Sequence, residues 1–172
     1  MAVLLSLLVC LIGIAAVITK NKGHLPDSMS AMVYALPKKH RIIWTLWIWL
    51  MVALFTFALM DSLYEEVEFL EFFTIVSLGF CGAMPLAAPG ENKAHDWLGV
   101  AGGVLSQVCV CLISPWWLLV WLVLPLLAAL DTWAFSKSEV WERVIVSNLE
   151  GKLVFVLEAI CAITLYGTLL FK

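Results

Sequence analysis

Six long apolar runs divide this chain: Ala2 to Thr19, Ile42 to Met60, Phe69 to Leu86, Trp97 to Ile113, Trp116 to Phe135 and Leu153 to Phe171. Each is close to the roughly 20 residues a helix needs to cross a hydrocarbon core. Inside such a core the backbone must satisfy its own hydrogen bonds, so runs of this length have helices open to them and little else. The expected fold is therefore all-α, a polytopic transmembrane bundle of six spans forming a single domain over residues 1–172. Composition agrees: 63% of residues are hydrophobic and 13% charged, with a mean hydropathy of +1.02. A soluble domain holds about half and about a quarter of these two classes.

Charge is sorted by side. Lys20, Lys22, Lys38, Lys39 and Arg41 fall in the first gap between runs, Lys93 in the third, and Lys137, Arg143 and Lys152 in the fifth. Translocated loops avoid Lys and Arg, so these gaps read as cytoplasmic and both termini as lying on the non-cytoplasmic side. The second gap, Asp61 to Glu68, is acidic and external. The asymmetry suits a bacterial inner membrane, and no basic surface interleaved with aromatics points to nucleic acid. Cys10, Cys81, Cys109, Cys111 and Cys161 all lie within apolar runs and read as small buried hydrophobes, with neither a disulfide framework nor a zinc ribbon. No basic region precedes the first run, which reads as a retained span rather than a signal peptide.

The first gap carries a pattern of its own. Met29, Met32, Val33 and Leu36 recur at helical spacing, between a start signal at Pro26-Asp27-Ser28 and a stop at Pro37. This predicts a short interfacial helix after span one, with Ser30 and Tyr34 on its polar side and the Lys38-Lys39-His40-Arg41 cluster meeting lipid phosphates. Trp44, Trp47 and Trp49, and across the membrane Trp116 and Trp117, read as interface anchors. In span four, Gly99, Gly103 and Ser106, with Gly102 one step round, form a small-residue face for close helix packing within the bundle or against a second copy. Pro125 should kink span five. Ser136 and Glu139 have capping-box spacing, and Val140, Trp141, Val144 and Ile145 form an apolar stripe.

Candidate chemistry gathers at the cytoplasmic level. Asp131 lies near the end of span five and Glu158 between one and two turns inside span six, and a carboxylate in a span must be placed inward or neutralised. His95 and Asp96 reach the same level from the turn before span four. His24, Ser28, Ser30 and Tyr34 reach it from the first gap, and Gln107 lies deeper. The expected ligand- or proton-binding set is Asp131, Glu158, His95, Tyr34 and Gln107 around a polar vestibule. Asp131 reads equally as a wetted capping residue, Glu158 as a bundle lock, and Gln107 as an amide cross-link between helices. No cofactor is expected, although His24, His95 and Asp131 are acceptable ligand types for a metal ion. Ser28 with His95 and Asp96 would be the hydrolytic alternative, weakened because adjacent helical residues point apart.

At Pro26-x-Ser28-x-Ser30 after the first run, and at His95 opening the fourth, the chain resembles small six-span proteins of the DRAM/Frag-like and related uncharacterised bacterial groups. The resemblance covers the span count and these positions, and it implies a six-helix bundle with a polar patch on one side. The resemblance carries no reaction to transfer, and the residues themselves leave three functions as expectations: binding or transport of a small or lipid-like ligand, a membrane-embedded lipid hydrolase, or an accessory subunit of a membrane complex. The partners expected are membrane lipids and, through the span-four face, further copies of the chain.

Overall fold

The structure, a computed structural model, describes residues 2–20, 27–60, 68–87, 93–137 and 152–171. Among the described residues all regular structure is helical: α1 (Ala2–Lys20), α2 (Arg41–Met60), α3 (Glu68–Ala87), α4 (Lys93–Ile113), α5 (Val123–Lys137) and α6 (Leu153–Leu170). Three 3-10 helices join them, at Ser30–Ala35, Lys38–His40 and Pro115–Leu122. Among the described residues four segments are long and apolar enough to cross a membrane: Ala2–Lys20, Lys38–Phe57, His95–Ile113 and Leu153–Leu170. Leu4, Leu8, Ile12, Leu46, Val100, Val104 and Ile163 turn large apolar side chains outward, an arrangement stable in lipid and costly in water. The chain is an integral membrane protein.

The helices pack in a closed order. α1 packs on α2, α2 on α3, α3 on α4, α4 on α6, and α6 returns to α1, closing a ring of five helices. The Pro115–Leu122 helix lies outside the ring against α4 and α6, and α5 continues directly from it. Ser6 bonding Met51 while Val9 bonds Trp47 makes α1/α2 antiparallel, Ser77 facing Gly102 while Thr74 lies near Cys109 makes α3/α4 antiparallel, and Gly103 facing Cys161 while Gln107 bonds Thr164 makes α4 and α6 parallel. Lys20, Arg41, Lys93 and Lys152 thus fall at one end of the ring, hereafter the basic end.

Indoles set several of these contacts. The Trp47 ring lies over Gly13, where any Cβ would collide with it, and its Nε1–H donates to the Val9 carbonyl at 2.9 Å. Trp117 covers Gly167 in the same way, and Trp49 lies against Gly79. Trp44 is only 5% exposed and sits 4.6 Å from Trp47, ring centre to ring centre. The expectation of interface anchors therefore suits Trp116, which is 78% exposed, but Trp44, Trp47 and Trp117 are packing residues. Glycine opposite indole lets a large flat ring approach the helix axis, and hydropathy does not register that complementarity.

Two apolar clusters fill the ring. One, towards the end opposite the basic residues, holds Val3, Phe55, Val110, Leu165, Tyr166 and Leu169. The other, at the basic end, holds Val17, Met32, Val33, Trp44 and Phe155. Met32 and Val33 come from the segment expected to lie on the membrane surface. The predicted apolar face is present, but as a 3-10 turn of six residues, Ser30–Ala35, packed on α1, α2 and α3. Met32 is 1% and Val33 0% exposed, so the segment plugs the ring instead of floating beside it. Lipid offers one apolar partner surface; the open end of a helical ring offers several, and burial there removes the face from water altogether.

Two further departures have local causes. α4 begins at Lys93 rather than at Trp97, since nothing in Lys93-Ala94-His95-Asp96 breaks a helix and Asp96 in its first turn complements the macrodipole. Span five is not an α-helix kinked at Pro125: residues Pro115–Leu122 are 3-10, and the α-form starts at Val123. Pro125 then sits in the first turn of α5, where its missing N–H costs no hydrogen bond.

Candidate functional site

Among the described residues, the polar side chains inside the ring fall into three groups. The first is a clamp at the basic end. Lys152, Phe155 and Glu158 are three residues apart, hence on one face of α6, and all three hold the plug segment. Lys152 pairs with Asp27, the Phe155 N–H donates to the Asp27 carbonyl at 3.1 Å, and the Glu158 carboxylate accepts the Met29 N–H. Ser28 completes the turn by accepting the Ala31 N–H at 3.0 Å. A carboxylate one to two turns inside an apolar run is thus matched to a backbone donor, as a buried polar group requires.

The second group is a junction of three helices at Gln107. Its Oε1 accepts the Trp121 indole N–H at 2.8 Å, while its Nε2 lies 3.0 Å from Thr164 Oγ1 and 3.2 Å from Ser106 Oγ. Thr164 also donates back to the Ile160 carbonyl at 2.9 Å, and Ser106 to the Gly103 carbonyl at 2.6 Å. The amide cross-link expected of Gln107 is present. Trp121 can reach it because in a 3-10 helix residues three apart eclipse, which aligns Leu118 and Trp121 on one edge. Beside this junction, between α4, the Pro115–Leu122 helix and α6, lies an open groove of about 370 Å³ lined by Gly103, Val104, Gln107, Val108, Cys111, Leu118, Trp121 and Cys161. Its surface is almost wholly apolar, because the polar atoms of Gln107 are turned into the junction.

The third group lies between α3 and α4. Glu71, Thr74 and Ser77 are each 2% exposed. Opposite them are Gly102, whose absent Cβ would stand 3.1 Å from Ser77 Cβ, then Ser106 and Cys109. Cys109 of α4 lies close to both Thr74 and Glu71 of α3, and Thr74 donates its hydroxyl to the Leu70 carbonyl at 2.9 Å. Glu71 lies near the start of the third apolar run and is not among the site residues expected from the sequence. Its signal was available: Glu71, Thr74 and Ser77 repeat every three residues, one polar stripe in an apolar run.

The other expected site residues are less concentrated. His95 is half-buried on the first turn of α4, while its neighbour Asp96 is exposed, as their adjacency on a helix requires. Ser28 belongs to the clamp. Tyr34 and Asp131 lie on described helices but their side chains are outside the described residues, and His24, Glu139 and the Val140 to Ile145 stripe are outside them altogether. Among the described residues no three His, Cys, Asp or Glu side chains cluster so as to hold a metal ion. In the small-residue face the close approach is made by Gly102. Gly103 faces Cys161 Sγ at an ordinary 3.8 Å, Ser106 is buried at 3%, and Gly99 is exposed. Compared with protein families, characterised proteins and solved structures, the chain matches none.

Proposed function

We propose that this is a six-span protein, with both termini on the non-cytoplasmic side and the basic end in the cytoplasm, that binds a lipid-like ligand in the groove beside Gln107. One observation carries the reading: the groove is open, its walls are apolar, and its volume of about 370 Å³ falls within the ~300–1,000 Å³ typical of small-ligand sites. Because Gln107 directs its amide to Thr164, Ser106 and Trp121, no free polar group remains to recognise a headgroup. The occupant that fits is an acyl chain. The ligand site thereby moves from the basic-end vestibule expected from the sequence, where Met32 and Val33 fill the ring between α1, α2 and α6, to the side of the bundle. Likeness to the DRAM/Frag-like group bears on architecture alone, and a bacterial inner membrane remains the setting the charge pattern favours.

The test is photo-crosslinking with a phospholipid carrying a diazirine in its acyl chain, read by peptide mapping. Labels should concentrate on residues 103–121 and fall at least fivefold in Gly103→Phe, whose ring would occupy the groove. Even labelling over all outward helix faces would refute a dedicated site. Labelling replaced by a covalent dimer through the same residues would assign the groove to a second copy of the chain.

A further inference from the structure

The groove has a definite depth along the helices that form it. α4 has 21 residues, about 31 Å at 1.5 Å per residue, which matches a ~30 Å hydrocarbon core. Gly103 is its middle residue. Cys161 falls at the middle of α6, and the two face each other, a Cβ on Gly103 standing 3.8 Å from Cys161 Sγ. This pair is the deep end of the groove. Its other end is Cys111, about 12 Å further along α4 and close to the end of that helix. The Pro115–Leu122 helix leaves α4 there and runs back towards the centre, with Trp117 on Gly167 and Trp121 on Gln107. The groove therefore lies in one half of the bilayer, the half away from Lys93 and Lys152.

Its rims are continuous with the lipid-facing surface. Val104, Leu112, Leu119 and Leu122, in or beside its walls, are each more than half exposed, so a chain lying on that surface enters sideways without leaving hydrocarbon. A lipid of the nearer leaflet runs its chain along the groove, terminal methyl at Gly103 and ester end beside Cys111. One from the basic-end leaflet reaches Gly103 with only the tip of its chain, because each leaflet fills about half of the core. Trp116, 78% exposed, stands at the mouth, at the headgroup level where exposed indoles collect. Residues 113–117 and 168–171 around that mouth carry no charge, so they sort no headgroup by its sign. Building on the lipid-binding function proposed for this groove, we propose that its ligand is an acyl chain of a lipid in the leaflet opposite the basic end, taken without regard to headgroup charge.

Two phosphatidylcholines supply the test, one with a diazirine beside the ester and one with it at the end of the chain. Each is crosslinked to the purified protein in liposomes, and the modified residues are located by mass spectrometry. The terminal probe should mark Gly103, Gln107 and Cys161 at least threefold more than Cys111 and Leu118, and the ester-proximal probe should show the opposite ratio. The same pair with phosphatidylglycerol heads should give yields within twofold. An ester-proximal probe that marks Trp97 and Val100, or the same ratio from both probes, would overturn the leaflet assignment while labels in the groove left the lipid site standing. A headgroup preference above twofold would overturn the indifference to charge. Labels no denser in the groove than on outward residues such as Leu4 and Leu8 would overturn the lipid site itself, and the leaflet assignment with it.

Discussion

The Glu158 carboxylate accepts the backbone N–H of Met29, so a side chain from the last helix holds a turn 129 positions earlier in the chain. This one bond ties the plug to the ring at a level where water is scarce. Hydrogen bonds to charged groups contribute about 1.5–3 kcal/mol. Glu158→Leu should therefore release the segment, seen as faster hydrogen exchange at the Met29 to Leu36 amides by at least tenfold. Glu158→Gln keeps a carbonyl acceptor and should show a smaller increase.

Met32 fills the basic end as Val33 does, and large-to-small replacement at a fully buried site costs about 2–5 kcal/mol. Met32→Ala should lower the unfolding midpoint in detergent, whereas Met29→Ala, at a half-buried position, should lower it by less than half as much. Equal effects would mean that the plug does not enter the ring.

For the Asp27–Lys152 pair the expected contribution is small, because Asp27 is 78% exposed and surface pairs are worth about 0–1 kcal/mol. Asp27→Lys should speed exchange in the plug modestly at low salt, and the swap Asp27→Lys with Lys152→Asp should restore it. In high salt the differences should vanish.

Gln107 joins α4 to α6 and to the Pro115–Leu122 helix. Hydrogen bonds between membrane helices average about 0.6 kcal/mol and reach about 1.7 kcal/mol, so Gln107→Leu, which loses several, should destabilise by about 1–3 kcal/mol in a steric-trap or SDS-unfolding assay. Trp121→Phe removes only the indole donor and should cost less.

Gly13 and Gly167 are close-approach positions under Trp47 and Trp117. Gly13→Leu should disrupt α1/α2 packing severely, and Trp47→Ala in the same chain should partly rescue it by vacating the space. Failure of that rescue would show that the contact is not the cause.

Much of the scaffold was legible in order along the chain. The boundaries of α1, α2, α3 and α6 follow the apolar runs to within a residue or so, because the requirement for internal hydrogen bonding in lipid acts locally on every residue of a run. The Met29, Met32, Val33, Leu36 face was legible as well, and so was Gln107 as a cross-link. Its partners were not. Thr164 and Trp121 lie 57 and 14 positions away, and no local spacing connects them. Glu71 carried a stripe signal with Thr74 and Ser77 but lacked a visible neighbour until α4 was laid against α3.

Hydropathy and the placement of Lys and Arg by themselves determined that this chain enters a membrane, roughly where its helices begin and end, and which segment between them has an apolar face. Only the tertiary structure decided that five helices close into a ring, that the Met32–Val33 face fills its basic end, that indoles lie on Gly13 and Gly167, and that Glu71 is buried between α3 and α4 while Glu158 holds the Met29 amide. The physical reason is range: transfer out of water is summed residue by residue, whereas shape matching and hydrogen bonding across helices depend on groups that only the packed fold brings within a few ångströms.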